Sequence, residues 1–390
     1  MNISSNIWKL YCIKALRYFL VVMPIVTVFF NSIGMDQYEI MLSQVAFSLS
    51  LILFEIPSWY FSDSISRRVT LIIAAFASCI WVFIFAIADN FIMIVIAEII
   101  LGIGASFMSW TDSALLYDTL LEIWKQEQYK KIKSRIISFQ SISEATAGII
   151  GWFLAVLSLR YPAWLEFFCM LPIIPLSFSL VEPIRRTTMD TTSWIRNIGS
   201  ILHFALHKNK DILWLMTYSW LLGTATLTLV WFIQPYLKLI EIPLEIYGIL
   251  WAVFNFSIGI FALMIVQYEK FFWRKYALIN LILLVFFGYI CMGLFQNYFG
   301  AICIFIFYCV RAWQTPIIEE YVHALTPSHM RATVLSIKWM FGRWIFMFFW
   351  PLIGWLNDSY SLSFALIVSG FLFLITGTFC LFMLSRHKAL

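Results

Sequence analysis

Ionisable side chains interrupt the apolar runs of this sequence at several points, and they are the residues best suited to chemistry. An ionisable group at the centre of a bilayer costs about 2.5 to 3.5 kcal/mol, so such groups face the protein interior or water. We expect them to bind a polar ligand, to carry a proton or to neutralise one another. They are Lys14, Arg17, Glu98, Asp112, Glu144, Arg311, Glu319, Glu320, Lys338 and Arg343.

Two arginines in the second half lie too far from the ends of their apolar runs to reach a membrane surface. Arg311 and Arg343 are each near the middle of a run, and Gln314 follows Arg311 by about one helical turn. Guanidinium groups bind carboxylates and phosphates through paired hydrogen bonds, which favours an anionic or zwitterionic ligand. The alternative is that Glu319 and Glu320 neutralise the arginines in a structural network. The predicted ligand-binding residues are Arg17, Gln234, Arg311, Gln314 and Arg343.

Acids and small residues share one face of the fourth apolar run. Helical spacing places Glu98, Gly102, Ala105, Ser109 and Asp112 on that face, which we expect to point inward. A buried acid is a candidate proton carrier, because its charged form is costly in the membrane. The alternative for Glu98 is a static pair with Arg17. The predicted proton-coupling residues are Glu98, Asp112 and Glu144.

Composition defines the elements that must position these groups. The chain has 390 residues, of which 62% are hydrophobic and 12% charged, and its mean hydropathy is +0.87. That much apolar surface predicts an all-α integral membrane protein with spans of about 20 residues. The predicted spans are 10–31, 39–62, 70–88, 91–117, 136–159, 162–181, 211–234, 244–267, 275–295, 298–321, 331–356 and 361–384.

A polar stretch divides the twelve predicted spans into two sets of six. We predict an N-terminal bundle over 1–181, a cytoplasmic linker over 182–210 and a C-terminal bundle over 211–390. Lysine and arginine are concentrated in alternate loops, and the remaining loops hold only Arg160 and Lys238. Since positive charge stays in the cytoplasm, this sorting predicts that both termini are cytoplasmic.

The stretch EIPSWYFSDSISRR, residues 55–68, resembles the loop between the second and third helices of major facilitator superfamily transporters. The acid of that loop falls on Asp63 and its basic pair on Arg67 and Arg68, while Trp59 replaces a family glycine. The resemblance implies a fold of two pseudo-symmetric six-helix bundles. It also implies a cytoplasmic gate in which Asp118 contacts Arg67 and in which Asp63 faces the start of span eleven.

The resemblance implies a secondary active transporter that works by alternating access, and not an enzyme. With the intramembrane charges, we expect proton-coupled movement of a small anionic or zwitterionic solute across the inner membrane, by a monomer. The alternatives are a multidrug efflux antiporter, or a membrane-embedded enzyme or receptor on the same scaffold. The sequence has no Walker A motif and no paired cysteines, so we expect neither a cofactor nor a metal, and no nucleic-acid partner.

Overall fold

Helices make up all the regular structure in the described part of this computed structural model. The structure describes residues 3–109, 111–184, 209–265, 268, 274–325 and 331–386. Most of the predicted linker, 185–208, lies outside these ranges. The side chains of Asp63, Glu320 and residues 331–341, Lys338 included, also lie outside the description.

The chain folds into two compact units, each with its own core. The first comprises Met1–Met35, Ser43–Thr191 and Leu244–Ala252. The second comprises Asp36–Leu42, Thr192–Pro243 and Val253–Leu390.

The described helices follow one another along the chain in two sets. In the first half they are α1 Ser5–Arg17, α2 Val26–Ser32, α3 Gln37–Ser64, α4 Arg67–Ile87, α5 Phe91–Met108, α6 Thr111–Glu122, α7 Tyr129–Leu157, α8 Tyr161–Met170 and α9 Ile173–Phe178. In the second half they are α10 Lys210–Leu239, α11 Tyr247–Leu263, α12 Arg274–Leu294, α13 Tyr298–Leu325, α14 Arg331–Ser359 and α15 Leu362–Arg386.

Apolar helices of membrane-spanning length are recovered where the sequence predicts them. Within the described residues, ten stretches are long and apolar enough to cross a membrane, and they match ten of the twelve predicted spans. The eleventh predicted span is the unbroken helix α14. The first is α1 followed, after a break, by a shorter apolar segment, Met23–Ser32. The protein is thus an all-α, multi-pass membrane protein.

Polar caps mark where several of these helices begin. Ser66 Oγ accepts a hydrogen bond from the Val69 amide at the start of α4, and Asn90 Oδ1 accepts one from Met93 at the start of α5. Asn209 accepts one from Ile212 at the start of α10. Each cap satisfies an amide that has no partner within its own helix, which matters more where water is scarce.

Two of the predicted spans are interrupted and are not single continuous helices. Residues 18–22 separate α1 from a 3₁₀ turn, Met23–Ile25, in which Pro24 has no amide hydrogen to donate. In the fourth span α5 ends at Met108, and Ser109 leaves the helical conformation with ψ of 128°. The stripe predicted to run unbroken from Glu98 to Asp112 is therefore interrupted before α6.

Candidate functional site

A cavity of about 360 Å³ lies inside the second unit, among α10, α11, α13 and α14. A pocket of this size is within the range that encloses a small organic molecule. Polar and cationic groups and aromatic rings share its wall. The lining residues are Ser219, Trp220, Gly223, Thr226, Leu227, Ile258, Arg311, Gln314, Thr315, Gly342, Arg343 and Phe346.

Helical spacing explains why these residues meet. Ser219, Gly223 and Thr226 are about one turn apart on α10, so they form one face of that helix. Arg311 and Gln314 have the same relationship on α13. The cavity wall therefore includes a stripe of small residues from α10 and a cationic and an amide side chain from one face of α13.

Hydrogen bonds fix the opposite faces of the helices that carry the cavity. The fully buried Tyr289 donates its hydroxyl to the Ala225 carbonyl at 2.7 Å, which joins α12 to α10. Trp350 Nε1 donates to Thr228 Oγ1 at 2.9 Å, which joins α14 to α10. Satisfied buried polar groups hold packed helices in one arrangement, so the cavity is framed by a fixed scaffold.

The polar side chains of the cavity offer both donors and an acceptor. Gln314 is 8% exposed, and its amide oxygen is buried without a hydrogen-bond partner. Arg311 has a well-exposed side chain, and no carboxylate described in the structure forms a salt bridge with it. Because guanidinium groups bind anions through several N–H donors, Arg311 and Arg343 can hold a carboxylate or phosphate here.

Two glycines of the cavity differ in the space that a Cβ atom would have at their positions. A Cβ atom at Gly342 would be 3.0 Å from Cδ1 of Trp220, so the indole ring lies against the backbone of α14. A Cβ atom at Gly223 would have no other atom within 4 Å. Gly223 therefore leaves room in the cavity, whereas Gly342 allows close packing of an aromatic wall.

The structure brings together three of the five predicted ligand-binding residues. Arg311, Gln314 and Arg343 all line the cavity. Gln234 is buried further along α10 and is not among the lining residues. Arg17 lies in the first unit, where its guanidinium donates a hydrogen bond to Ser78 Oγ. Sequence reasoning missed Ser219 and Thr226, whose only signal was their spacing along an apolar helix.

Glu98 is a buried acid of α5 whose partner is an amide and not a cation. Its side chain is 6% exposed, and Oε1 accepts a hydrogen bond from Gln44 Nε2 at 2.9 Å. Its Oε2 atom is buried without a hydrogen-bond partner. The static pair with Arg17 that the sequence left open is not formed, since Arg17 contacts Ser78 instead. This arrangement is compatible with binding and releasing a proton.

Asp112 has a different environment from Glu98. Its carboxylate forms a salt bridge with Lys14 Nζ at 2.9 Å and a longer one with Lys133 Nζ at 3.6 Å. Two cations favour the charged form of this acid, so Asp112 is better suited to an ion-pair network than to proton exchange. Glu144, the third predicted proton carrier, is half-buried on α7.

The loop between α3 and α4 forms the contact expected of a gate. Arg67 Nη1 forms a salt bridge with the carboxylate of Asp118 on α6. Arg68 Nη2 donates a hydrogen bond to the Phe178 carbonyl at 2.6 Å. Asp63 lies on α3, but its side chain is outside the description, so its predicted contact with span eleven stays a prediction.

Glu182 completes this cluster, and sequence reasoning missed it. Its carboxylate accepts hydrogen bonds from the backbone amides of Arg67 and Arg68 at 2.9 and 2.8 Å, and from Ser66 Oγ at 2.7 Å. An anion is favoured at a helix N-terminus by the free amides there. We assigned Glu182 to the linker because it follows the sixth apolar run, and nothing local indicates a contact 115 residues away.

No family model and no curated protein matches the sequence. Solved structures match over nearly the whole chain. A mutant of the nucleoside transporter NupG has a TM-score of 0.80 at 13% identity, covering 98% of this chain and 99% of that chain. This chain has the major facilitator fold.

Two further crystal structures agree with this assignment. The D-xylose-proton symporter has a TM-score of 0.72 at 15% identity, covering 97% of each chain. A bacterial homologue of the human lysosomal transporter Spinster has a TM-score of 0.70 at 15% identity, covering 98% of this chain and 97% of that chain. At such low identity the similarity establishes the fold alone, and the functional assignment depends on the side chains described above.

Proposed function

We propose that this protein is a secondary active transporter that moves a small anionic or zwitterionic solute across the cell inner membrane by alternating access. The observation that carries the proposal is the cavity of about 360 Å³ in the second unit, with Arg311, Arg343 and Gln314 in its wall. Transporters of this fold place their substrate sites near the middle of the membrane. Two of the proteins with similar structures, a nucleoside transporter and a D-xylose-proton symporter, also favour transport.

The arginines define the charge of the solute. A guanidinium carries a full positive charge, and its planar N–H donors match a carboxylate or phosphate. The unpartnered amide oxygen of Gln314 requires a hydrogen-bond donor. An anion that also carries a hydroxyl or ammonium group satisfies both requirements. Trp220 and Phe346 provide apolar walls for the rest of the solute.

Coupling to protons is assigned to Glu98. It is buried, it is bonded only to the neutral Gln44, and it takes part in no described salt bridge. A carboxyl group in this environment can hold a proton at modest cost and release it when the helices around it rearrange. Asp112, between Lys14 and Lys133, remains charged and keeps α1, α6 and α7 together.

The Arg67–Asp118 contact is assigned to the gate. Since positive loops remain on the cytoplasmic side, we place this cluster and both chain termini in the cytoplasm, and we propose a monomer as the transporting unit. The salt bridge holds one access state, and it breaks and reforms as the protein alternates between the two sides.

The experiment begins with purified protein and a panel of ligands. Thermal unfolding in detergent is measured with carboxylates, phosphate esters and amino acids, and also with neutral nucleosides, neutral sugars and lipophilic cations. Anions or zwitterions that stabilise the protein are then tested for uptake into proteoliposomes under an imposed proton gradient. Stabilisation by an anion together with gradient-driven uptake supports the proposal. Stabilisation only by neutral solutes or lipophilic cations contradicts it.

A further inference from the structure

The hairpin that α12 and α13 form carries the same pattern of residues on both arms. Each arm has a glycine, a cysteine and a phenylalanine at intervals of three and four residues, which places the three on one helical face. They are Gly288, Cys291 and Phe295 on the first arm and Gly300, Cys303 and Phe307 on the second. Because the arms run in opposite directions, each glycine should meet the phenylalanine of the other arm, and the cysteines should meet between them.

The surroundings of the two glycines confirm this register. A Cβ atom at Gly288 would lie 2.5 Å from Cε2 of Phe307, and a Cβ atom at Gly300 would collide with the carbonyl oxygen of Phe295. The two arms are therefore in close contact at both places. Each cysteine is three residues from the glycine of its own arm, so the two cysteines lie opposite each other between these contacts.

The side chains of Cys291 and Cys303 interact directly in the interior of the hairpin. The Cys303 thiol is in hydrogen-bonding contact with that of Cys291. Both residues are free cysteines and only 5% exposed. Tyr289 holds the arms in place, since its ring centroid is 4.8 Å from that of Phe307 and its hydroxyl donates to the Ala225 carbonyl. A disulfide requires two cysteines that are close and point toward each other, and this pair meets that requirement.

The pair lies near one end of the two helices. Cys291 is three residues before Leu294, where α12 ends, and Cys303 is five residues after Tyr298, where α13 begins. At a rise of 1.5 Å per residue, the cysteines are about 5 to 8 Å from the turn. With both termini in the cytoplasm, as proposed above, this turn faces the outside, where disulfides form and persist in bacteria.

We propose that Cys291 and Cys303 are a redox modification site, at which a peroxide converts the two thiols into a disulfide. One thiolate attacks hydrogen peroxide, whose O–O bond breaks, and the products are a sulfenic acid and a hydroxide that takes up the thiol proton. The second sulfur then attacks the sulfenic sulfur, so the S–S bond forms, the S–O bond breaks and a second water leaves. The two sulfurs are oxidised and the peroxide is reduced to two waters. A peroxide is small enough to reach a pair that is 5% exposed.

The disulfide would connect helices that carry the cavity. Cys303 precedes Arg311 on α13 by eight residues, or about two turns. The turn itself is joined to α10, since the Tyr236 hydroxyl donates a hydrogen bond to the Phe295 carbonyl. A covalent bond at Cys303 therefore fixes the outer end of α13 against its neighbours. The site goes beyond the proposed function, because its formation requires neither the solute nor transport.

Disulfide formation is tested on the full-length protein in detergent, with no solute present. The protein is reduced, freed of reductant and treated with hydrogen peroxide, and the remaining thiols are blocked with N-ethylmaleimide in denaturant. Chymotrypsin cuts after aromatic residues such as Phe295, so it places the two cysteines in separate peptides unless a disulfide joins them. We expect mass spectrometry to detect the joined peptides and two fewer free thiols, and dithiothreitol to reverse both changes. The oxidised protein should also have a higher melting temperature than the reduced protein.

Single replacements keep the test decisive. Cys291→Ser and Cys303→Ser should each abolish the joined peptides and the rise in melting temperature. Cys380→Ser changes another buried cysteine, on α15, and should retain both. Should either serine variant fail to fold, the peptides of the native protein still decide the question, because they identify the joined residues directly.

Three results would overturn the proposal. They are the absence of the joined peptides after peroxide treatment of the native protein, the pairing of Cys291 or Cys303 with a different cysteine, and a joined peptide that persists in Cys303→Ser. Failure of anion uptake would count against the proposed function alone.

Discussion

Arg67 at the start of α4 and Asp118 on α6 form a charge-assisted hydrogen bond between residues 51 positions apart in the chain. Asp118 is the residue that the resemblance to major facilitator transporters implied as the partner of Arg67. The two side chains are 17% and 24% exposed, so water screens them only in part. Glu182 contacts the backbone of the same turn, and the cluster therefore joins three segments of the first unit.

The Arg67–Asp118 pair should show coupling in a double-mutant cycle. We expect Arg67→Gln and Asp118→Asn each to reduce the free energy of unfolding by about 1 kcal/mol, the upper end for a partly exposed pair. The double variant should lose little more than either single variant, since both remove the same contact. Chemical unfolding in detergent measures the free energy of unfolding of each variant. Uptake of solute into proteoliposomes measures its transport rate. Strictly additive losses would mean that the two residues act independently.

Removing a cavity arginine should weaken anion binding without harming the fold. We expect Arg311→Gln to weaken binding of the solute about 10- to 100-fold, since a hydrogen bond to a charged group is worth about 1.5 to 3 kcal/mol. The melting temperature without solute should hardly change, because Arg311 is well exposed and forms no described salt bridge. Calorimetry or thermal-shift titration gives the affinity. Arg386→Gln, at the exposed end of α15, is the matched control.

Glu98→Gln should separate gradient-driven uptake from solute exchange. The amide preserves shape and can still bond to Gln44, but it cannot take up and release a proton. We expect uptake driven by a proton gradient to be abolished, while exchange of labelled for unlabelled solute continues. Both are measured in the same proteoliposomes, with Glu127→Gln as control. Equal loss of both activities would assign Glu98 to solute binding or to packing.

Two glycine substitutions should affect different properties of the protein. One should weaken solute binding, and the other should lower the free energy of unfolding. Gly223→Leu extends into open space, so we expect a folded protein whose reduced cavity binds the solute at least about tenfold more weakly. Gly102→Ala puts a methyl group 1.9 Å from Ser50 Oγ and 2.6 Å from the Phe47 carbonyl oxygen. We expect that overpacking to cost about 1 to 3 kcal/mol of unfolding free energy. A stability loss in Gly223→Leu as large as in Gly102→Ala would contradict the open wall.

Hydropathy predicted the helices well, because the thickness of the bilayer sets the length of an apolar span and the lack of water there favours a helix. It did not predict the breaks at 18–22 and after Met108, since a backbone break changes hydrogen bonding without changing the apolar character of the run. Arg311 and Gln314, one helical turn apart in the sequence, line the same cavity. Glu182 and Glu166 were missed because their partners come from distant segments, Arg67 and Val22, to which no local pattern refers.

The two faces of α10 are under different constraints. Thr228 accepts a hydrogen bond from Trp350 through its side chain, and Ala225 is fully buried where its backbone carbonyl accepts one from Tyr289, so neither position can change freely. Gly223, in contrast, faces open space. Substitutions on the face that carries Gly223 alter the shape of the cavity, while the hydrogen bonds on the opposite face of α10 stay intact. Solute preference can therefore diverge among proteins built on this scaffold by single replacements that cost little folding energy.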